Sequence, residues 1–250
     1  MICIIDEKNT SCLHEFCSGG PFGCKISSLL SAYGTKASFI DFWLQYDINN
    51  NAVSAISKLG SSATVFLTHE SDLSEICDFL KAIDVKSVSC NVELPFGSHF
   101  RGHILEHNGN MLECEKDVKF NPPLSDIYSV LLSSNNDKFK VPEFESFYVD
   151  ISHRIRHNIA RSAGLYLEKD MVSCAMTVTE TADTAVIGAV ATSPKYRKSG
   201  NGTAAVSALV NALISENKKV YILLNDDENL NFYRKMGFNI CGIWNEYGLT

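Results

Sequence analysis
Residues 197 to 202 read Arg197-Lys198-Ser199-Gly200-Asn201-Gly202, a combination suited to holding a pyrophosphate. Two glycines let the backbone approach a ligand closely. The first amides of a following helix point at that ligand, and the positive end of the helix dipole favours its charge. Lys195, Arg197 and Lys198 add positive charge at the same place. Glycines ahead of a helix also form plain turns, so the surroundings of the segment decide its meaning. Two other groups of side chains invite chemistry. Cys12, His14, Cys17 and Cys24 could hold a metal, but their gaps match none of the paired C-x2-C arrangements of structural zinc, and no metal is expected. His153-Arg154-Ile155-Arg156-His157, followed by Arg161, suits an anionic acceptor, against the plainer reading of a solvated charged face.

The elements around the glycine loop are legible. Ile159 to Glu168, Met171 to Glu180 and Thr184 to Thr192 are strand-like runs separated by the short turns Lys169-Asp170 and Ala182-Asp183, which predicts an antiparallel meander. Beyond Pro194, Val206, Leu209, Val210 and Leu213 recur at helical spacing as far as Asn217, and Val220 to Leu224 is a short buried strand. Asp226 and Asp227 suit the start of a helix carrying Leu230, Phe232, Tyr233 and Met236, which Gly237 ends, and Phe238 to Leu249 reads as extended.

The glycine loop is led in by Ala191-Thr192-Ser193-Pro194-Lys195-Tyr196, and Asn229-Leu230-Asn231-Phe232-Tyr233-Arg234-Lys235-Met236-Gly237-Phe238 follows one strand later. Together these segments resemble the GNAT superfamily of acetyl-CoA-dependent N-acetyltransferases, over residues 111 to 250 and best between Val172 and Phe238. The resemblance implies a cleft between splayed fourth and fifth strands that takes acetyl-CoA as co-substrate. Pyrophosphate would lie on the amides of Arg197, Lys198, Ser199, Gly200, Asn201, Gly202 and Thr203, and pantetheine beside Val190, Ala191 and Thr192. Asn229 would help hold the cofactor, and Tyr233 takes the position of the acid that protonates the departing thiolate. A tyrosine of ordinary pKa, about 10, is protonated at neutral pH and suits that role. The plainer reading of Tyr233 is a core residue beside Phe232. The family often carries a carboxylate on the fourth strand as base, and Thr184 to Thr192 holds no ionisable side chain. Glu180, Glu246, His153 and His157 stay open for that role.

A weaker copy of the same order precedes it. Ser38 to Tyr46, Ala52 to Lys58 and Ala63 to Thr68 read as strands. Asp72 and Glu75 have capping-box spacing ahead of a helix with Leu73, Ile76, Cys77, Leu80 and Ile83 on one face, and Val85 to Cys90 resumes a strand. Val53-Ser54-Ala55 lines up with Val172-Ser173-Cys174. Where the second copy has its glycine loop, the first has Thr68-His69-Glu70-Ser71-Asp72, acidic and without glycine, so no CoA is expected there. The turn Asn108-Gly109-Asn110 places the division near residue 110, and Pro122-Pro123 opens a helix through Leu132.

Composition narrows the class. The chain has 250 residues, 45% of them hydrophobic, and a formal net charge of -7, which opposes binding to a phosphate backbone. No apolar run approaches the ~18 residues of a membrane span, and the N-terminal segment lacks the pattern of a secretory signal. Nine cysteines without paired spacing read as reduced thiols of a cytoplasmic protein. The expected fold is α/β, a GNAT-like mixed and mainly antiparallel sheet flanked by helices, in two tandem lobes: residues 1-109 degenerate and without a CoA loop, 110-250 an acetyltransferase domain. The expected activity is acetyl transfer from acetyl-CoA to a primary amine of a small-molecule or amino-acid-like acceptor. The alternative is a CoA-binding regulatory or structural module with a decayed site. Neither nucleic acid nor membrane is an expected partner, and dimerisation is one role open to the first lobe.

Overall fold
The computed structural model describes residues 1–97, 99–136, 140–225 and 227–249; Asp226, one of the two expected helix-start residues, lies outside them. Contacts divide the chain into two compact units. One comprises Met1–Leu105, Leu223–Asn229 and Ile240–Thr250, the other Glu106–Ile222 and Leu230–Asn239. A single cut near residue 110 therefore does not describe the division, because the C-terminal tail packs with the first unit.

The first unit begins with β1 (Ile2–Ile4), α1 (Thr10–Phe16) and α2 (Pro21–Tyr33), then β2 (Ile40–Tyr46), β3 (Ala52–Leu59), β4 (Ser62–Leu67), α3 (Leu73–Ala82), β5 (Ser87–Cys90) and β6 (His99–His107) through Leu105. β2, β3 and β4 are the expected meander, with β4 paired in parallel to β5 from Ser62 and Ser87 to Val65 and Cys90. Two apolar clusters fill the unit, one around Ile26, Leu29, Phe42 and Leu44, the other around Val65, Ile76, Leu80 and Tyr247. His14 Nδ1 lies 2.6 Å from Ser27 Oγ, and Cys17 and Cys24 are buried, so these side chains serve packing and local bonding.

The second unit contains β7 (Val118–Phe120), α4 (Leu124–Ser133), α5 (Phe144–Arg156), β8 (Ser162–Leu167), β9 (Asp170–Glu180), β10 (Thr184–Thr192), α6 (Asn201–Ser215), β11 (Lys219–Leu224) through Ile222, and α7 (Leu230–Lys235). Its strands run in the order β11-β10-β9-β8-β7, antiparallel except for β10 with β11. The last strand, β12 (Phe238–Gly248), starts here and continues into the first unit, where Asn245 to Gly248 pair antiparallel with Cys90 to Ser87 of β5. Among the described residues, no helix is long and apolar enough to cross a membrane.

Candidate active site
β10 is the strand that builds the site. Its parallel pairing with β11 runs from Thr184 and Lys219 to Ile187 and Ile222 and ends there, while β10 continues to Thr192. On its other side Gly188 faces Met176 and Ala191 faces Cys174, so Ala189 and Val190 stand opposite the single residue Ala175. This is a β-bulge, and Ala189 adopts a φ of 46°, a left-handed conformation that a side chain normally resists. An extra residue on the bulged strand is left out of the ladder and turns backbone groups away from it. The stretch Val190, Ala191 and Thr192 thus has the character of a strand edge that an extended ligand can join through main-chain hydrogen bonds.

The end of β10 is anchored from several sides. Ser173 Oγ donates to Ala191 O and lies 2.8 Å from Thr192 Oγ1, while Arg197 Nε donates to Thr192 O at 3.0 Å. A 3-10 turn, Pro194–Tyr196, then leads to the glycine loop. Lys198 and Gly200 both take left-handed φ values, 62° and 73°, and Gly200 is the N-cap of α6, with no side chain capping the helix. The first amides of α6, those of Asn201, Gly202 and Thr203, lack an acceptor within the helix. Such an end can accept an anion, and it lies beside the exposed side chains of Arg197 and Lys198 in the chain.

Lys116, which the sequence did not single out, completes the loop. Its Nζ donates to Ser199 O and to Asn201 Oδ1, both at 2.7 Å, and Asn201 Nδ2 donates to Tyr196 O at 2.9 Å. The buried Asn201 thus ties the two ends of the loop together and Lys116 clamps it from outside. No signal near Lys116 points to this, because the pairing spans 85 positions.

The third element is α7. A Cβ placed on Gly202 would lie 3.0 Å from Thr192 Oγ1 and 3.8 Å from Phe232 Cζ. The end of β10, the start of α6 and α7 therefore converge on one point. Tyr233 is buried between Phe232 and Phe238, with ring centroids 5.0 and 5.8 Å away, and burial pushes its phenol up to about 12. Asn229 closes the 3-10 turn Asp227–Asn229, which packs with the first unit, so it is not among the residues that the second unit brings together.

The base candidates fare differently. Glu180 is buried and accepts from Arg161 Nη2 at 2.7 Å, Lys218 Nζ at 2.8 Å and Thr177 Oγ1 at 2.6 Å, which commits it to an internal ion network. His153 and His157 stack on α5 with centroids 4.0 Å apart. Glu246 is exposed on β12, opposite Ser89 within the first unit. The basic run is largely used internally: Arg154 donates to Asp150 Oδ1 and Val178 O, both at 2.8 Å, and Arg161 also pairs with Glu216.

The matching region of the first unit is built differently at each point. The β3–β4 register runs without a bulge from Ser54 and Leu67 to Leu59 and Ser62. Asn91 Nδ2 donates to Leu67 O and its Oδ1 accepts from Leu67 N, both at 2.8 Å, so a carboxamide occupies the edge where β4 ends. Asp72 caps α3, accepting from Ser74 N at 3.0 Å and Glu75 N at 3.1 Å, which takes up the free helix amides with a resident negative charge. The expected reciprocal capping box is not formed, because Gln45 Oε1 takes the Asp72 amide and Gln45 Nε2 holds Glu75.

The second unit thus combines parted fourth and fifth strands, a bulge on the fourth and an uncapped helix after a glycine loop. Residues 125–238 match the model of the acetyltransferase (GNAT) family. The whole chain shares the fold of a tandem GNAT protein from the clavulanic acid biosynthesis pathway, at 10% identity and a TM-score of 0.59, covering 99% of this chain and 98% of that one. It is likewise similar to a GNAT-family acetyltransferase from Colwellia psychrerythraea (12% identity, TM-score 0.62, all of both chains). A GCN5-related N-acetyltransferase from Sphaerobacter thermophilus is similar at 11% identity and a TM-score of 0.61, over 99% of this chain and 95% of that one. Comparison with curated proteins returned no match.

Proposed function
We propose that the second unit transfers an acetyl group from acetyl-CoA directly to the primary amine of a small-molecule acceptor, and that this unit alone binds the cofactor. The observation that carries the reading is the contrast between two equivalent helix starts: α6 is uncapped behind a left-handed glycine, whereas α3 is capped by its own aspartate. In this reading pyrophosphate lies on the amides from Gly200 to Thr203, with Arg197 and Lys198 adding charge, and pantetheine runs along Val190 to Thr192. The amine nitrogen attacks the thioester carbonyl, the C–N bond forms and the C–S bond breaks. Tyr233 protonates the leaving thiolate, and the surplus proton of the amine passes to water, which restores the phenol.

Titration calorimetry should return one acetyl-CoA per chain, and Gly202→Glu should take that to zero while the protein stays folded. The new side chain would press on Thr192 and place a carboxylate at the anion site, where two unit charges ~4 Å apart repel by about 1 kcal/mol in water and about 4 kcal/mol at an effective dielectric of 20. Two equivalent sites, or undiminished affinity in the variant, would overturn the assignment. A second reading, a CoA-binding module without catalysis, is favoured by the lack of an ionisable side chain on β10. It requires binding without thiol release for any amine.

A further inference from the structure
Beneath α4 and α5, against β9 and the bulge of β10, lies a cavity of about 430 Å³. Small-molecule sites commonly enclose ~300–1,000 Å³, so its size suits a whole acceptor rather than an acetyl group alone. Its wall is apolar, formed by Val141, Phe147, Ile151, Met176 and Val178, and it reaches β10 at Ala189, the left-handed bulge residue that precedes Val190. The carboxylate at its edge, Asp150, is already joined to Arg154 Nε at 2.8 Å, and Arg154 is further held by Val178 O. Lys140 and Ser146 stand on its exposed rim.

We propose that this cavity is the acceptor pocket and that it selects primary amines with an uncharged apolar body, such as arylalkyl or branched alkyl amines. This deepens the acetyltransferase reading above and rests on it. A second charge on the acceptor would have to leave water for a largely apolar wall at whose edge Asp150 is already paired with Arg154, and an unpaired buried charge is expensive. Several hydroxyls would meet the same wall without partners. An apolar body loses nothing there and gains by leaving water. The amine end is then carried to the bulge, where the thioester would lie.

The test compares kcat/KM for phenethylamine and isoamylamine with those for glucosamine and glycine, using thiol release from acetyl-CoA. The apolar amines should lead by about 100-fold, the scale on which pocket chemistry discriminates. Ser146→Trp, which adds bulk from an exposed position, should lower kcat/KM for phenethylamine by about tenfold or more while calorimetric affinity for acetyl-CoA is unchanged. The amine panel on the native protein decides even if that variant misfolds. Equal or better turnover of glucosamine or glycine would overturn the proposal. So would a Ser146→Trp variant that loses only transfer from longer acyl-CoAs, since the cavity would then hold the acyl chain. Absence of acetyl-CoA binding in the native protein would instead remove the acetyltransferase reading itself, a result distinct from wrong selectivity.

Discussion

Burial holds the Tyr233 phenol up at about 12, so the group stays protonated throughout the neutral range and remains a donor until strongly alkaline pH. A proton donor to a thiolate acts mainly in the transition state. In Tyr233→Phe, kcat should therefore fall about 100-fold, the lower end of what acid catalysis contributes, with KM for acetyl-CoA moving by about twofold at most. Steady-state kinetics under conditions where chemistry limits turnover reads both numbers. An unchanged kcat would return Tyr233 to the plain role of a core aromatic between Phe232 and Phe238. The motif around Tyr233 was legible in the sequence, but its burial was not, because burial depends on α7 meeting β10 and α6.

At the level of elements, the sequence showed the meanders, the two amphipathic helices after them and the absence of a glycine loop in the first lobe, since each of these has a local period or a punctuating residue. It did not show α2, in which nine of thirteen residues are buried. A helix covered on nearly all sides has no polar face to reveal its period, and its Cys24 drew attention to metal instead. β7 has three residues and no period at all. The bulge on β10 was hidden because it falls on Ala189, not on a glycine, and is defined by register with β9. The loop clamp is likewise tertiary. Lys116→Met removes a charged donor from two loop oxygens, and hydrogen bonds to charged groups contribute about 1.5–3 kcal/mol. Part of that loss should appear as disorder of the glycine loop, weakening acetyl-CoA binding by about tenfold, equivalent to about 1.4 kcal/mol. Calorimetry with acetyl-CoA checks this, and an unaltered affinity would mean that the backbone alone sets the loop.

For the molecule as a whole, the informative feature is that the first unit is completed by the end of the chain. Tyr247 is fully buried in its core, and its hydroxyl accepts from Leu94 N at 2.7 Å. Tyr247→Phe keeps the ring and strands that amide without a partner, which should cost about 1–3 kcal/mol. Denaturant unfolding should show this as a lower midpoint, and an equal midpoint would mean that another group satisfies Leu94. The same arrangement orders events during synthesis. A ribosome makes β5 long before the residues that pair with its second edge, so the first unit is finished only after the second has been made. Until Asn245 to Gly248 emerge, Ser87 to Cys90 present an open strand edge, a template for pairing with other chains. The nascent protein thus carries an aggregation hazard in the lobe with no proposed chemistry until those residues are made.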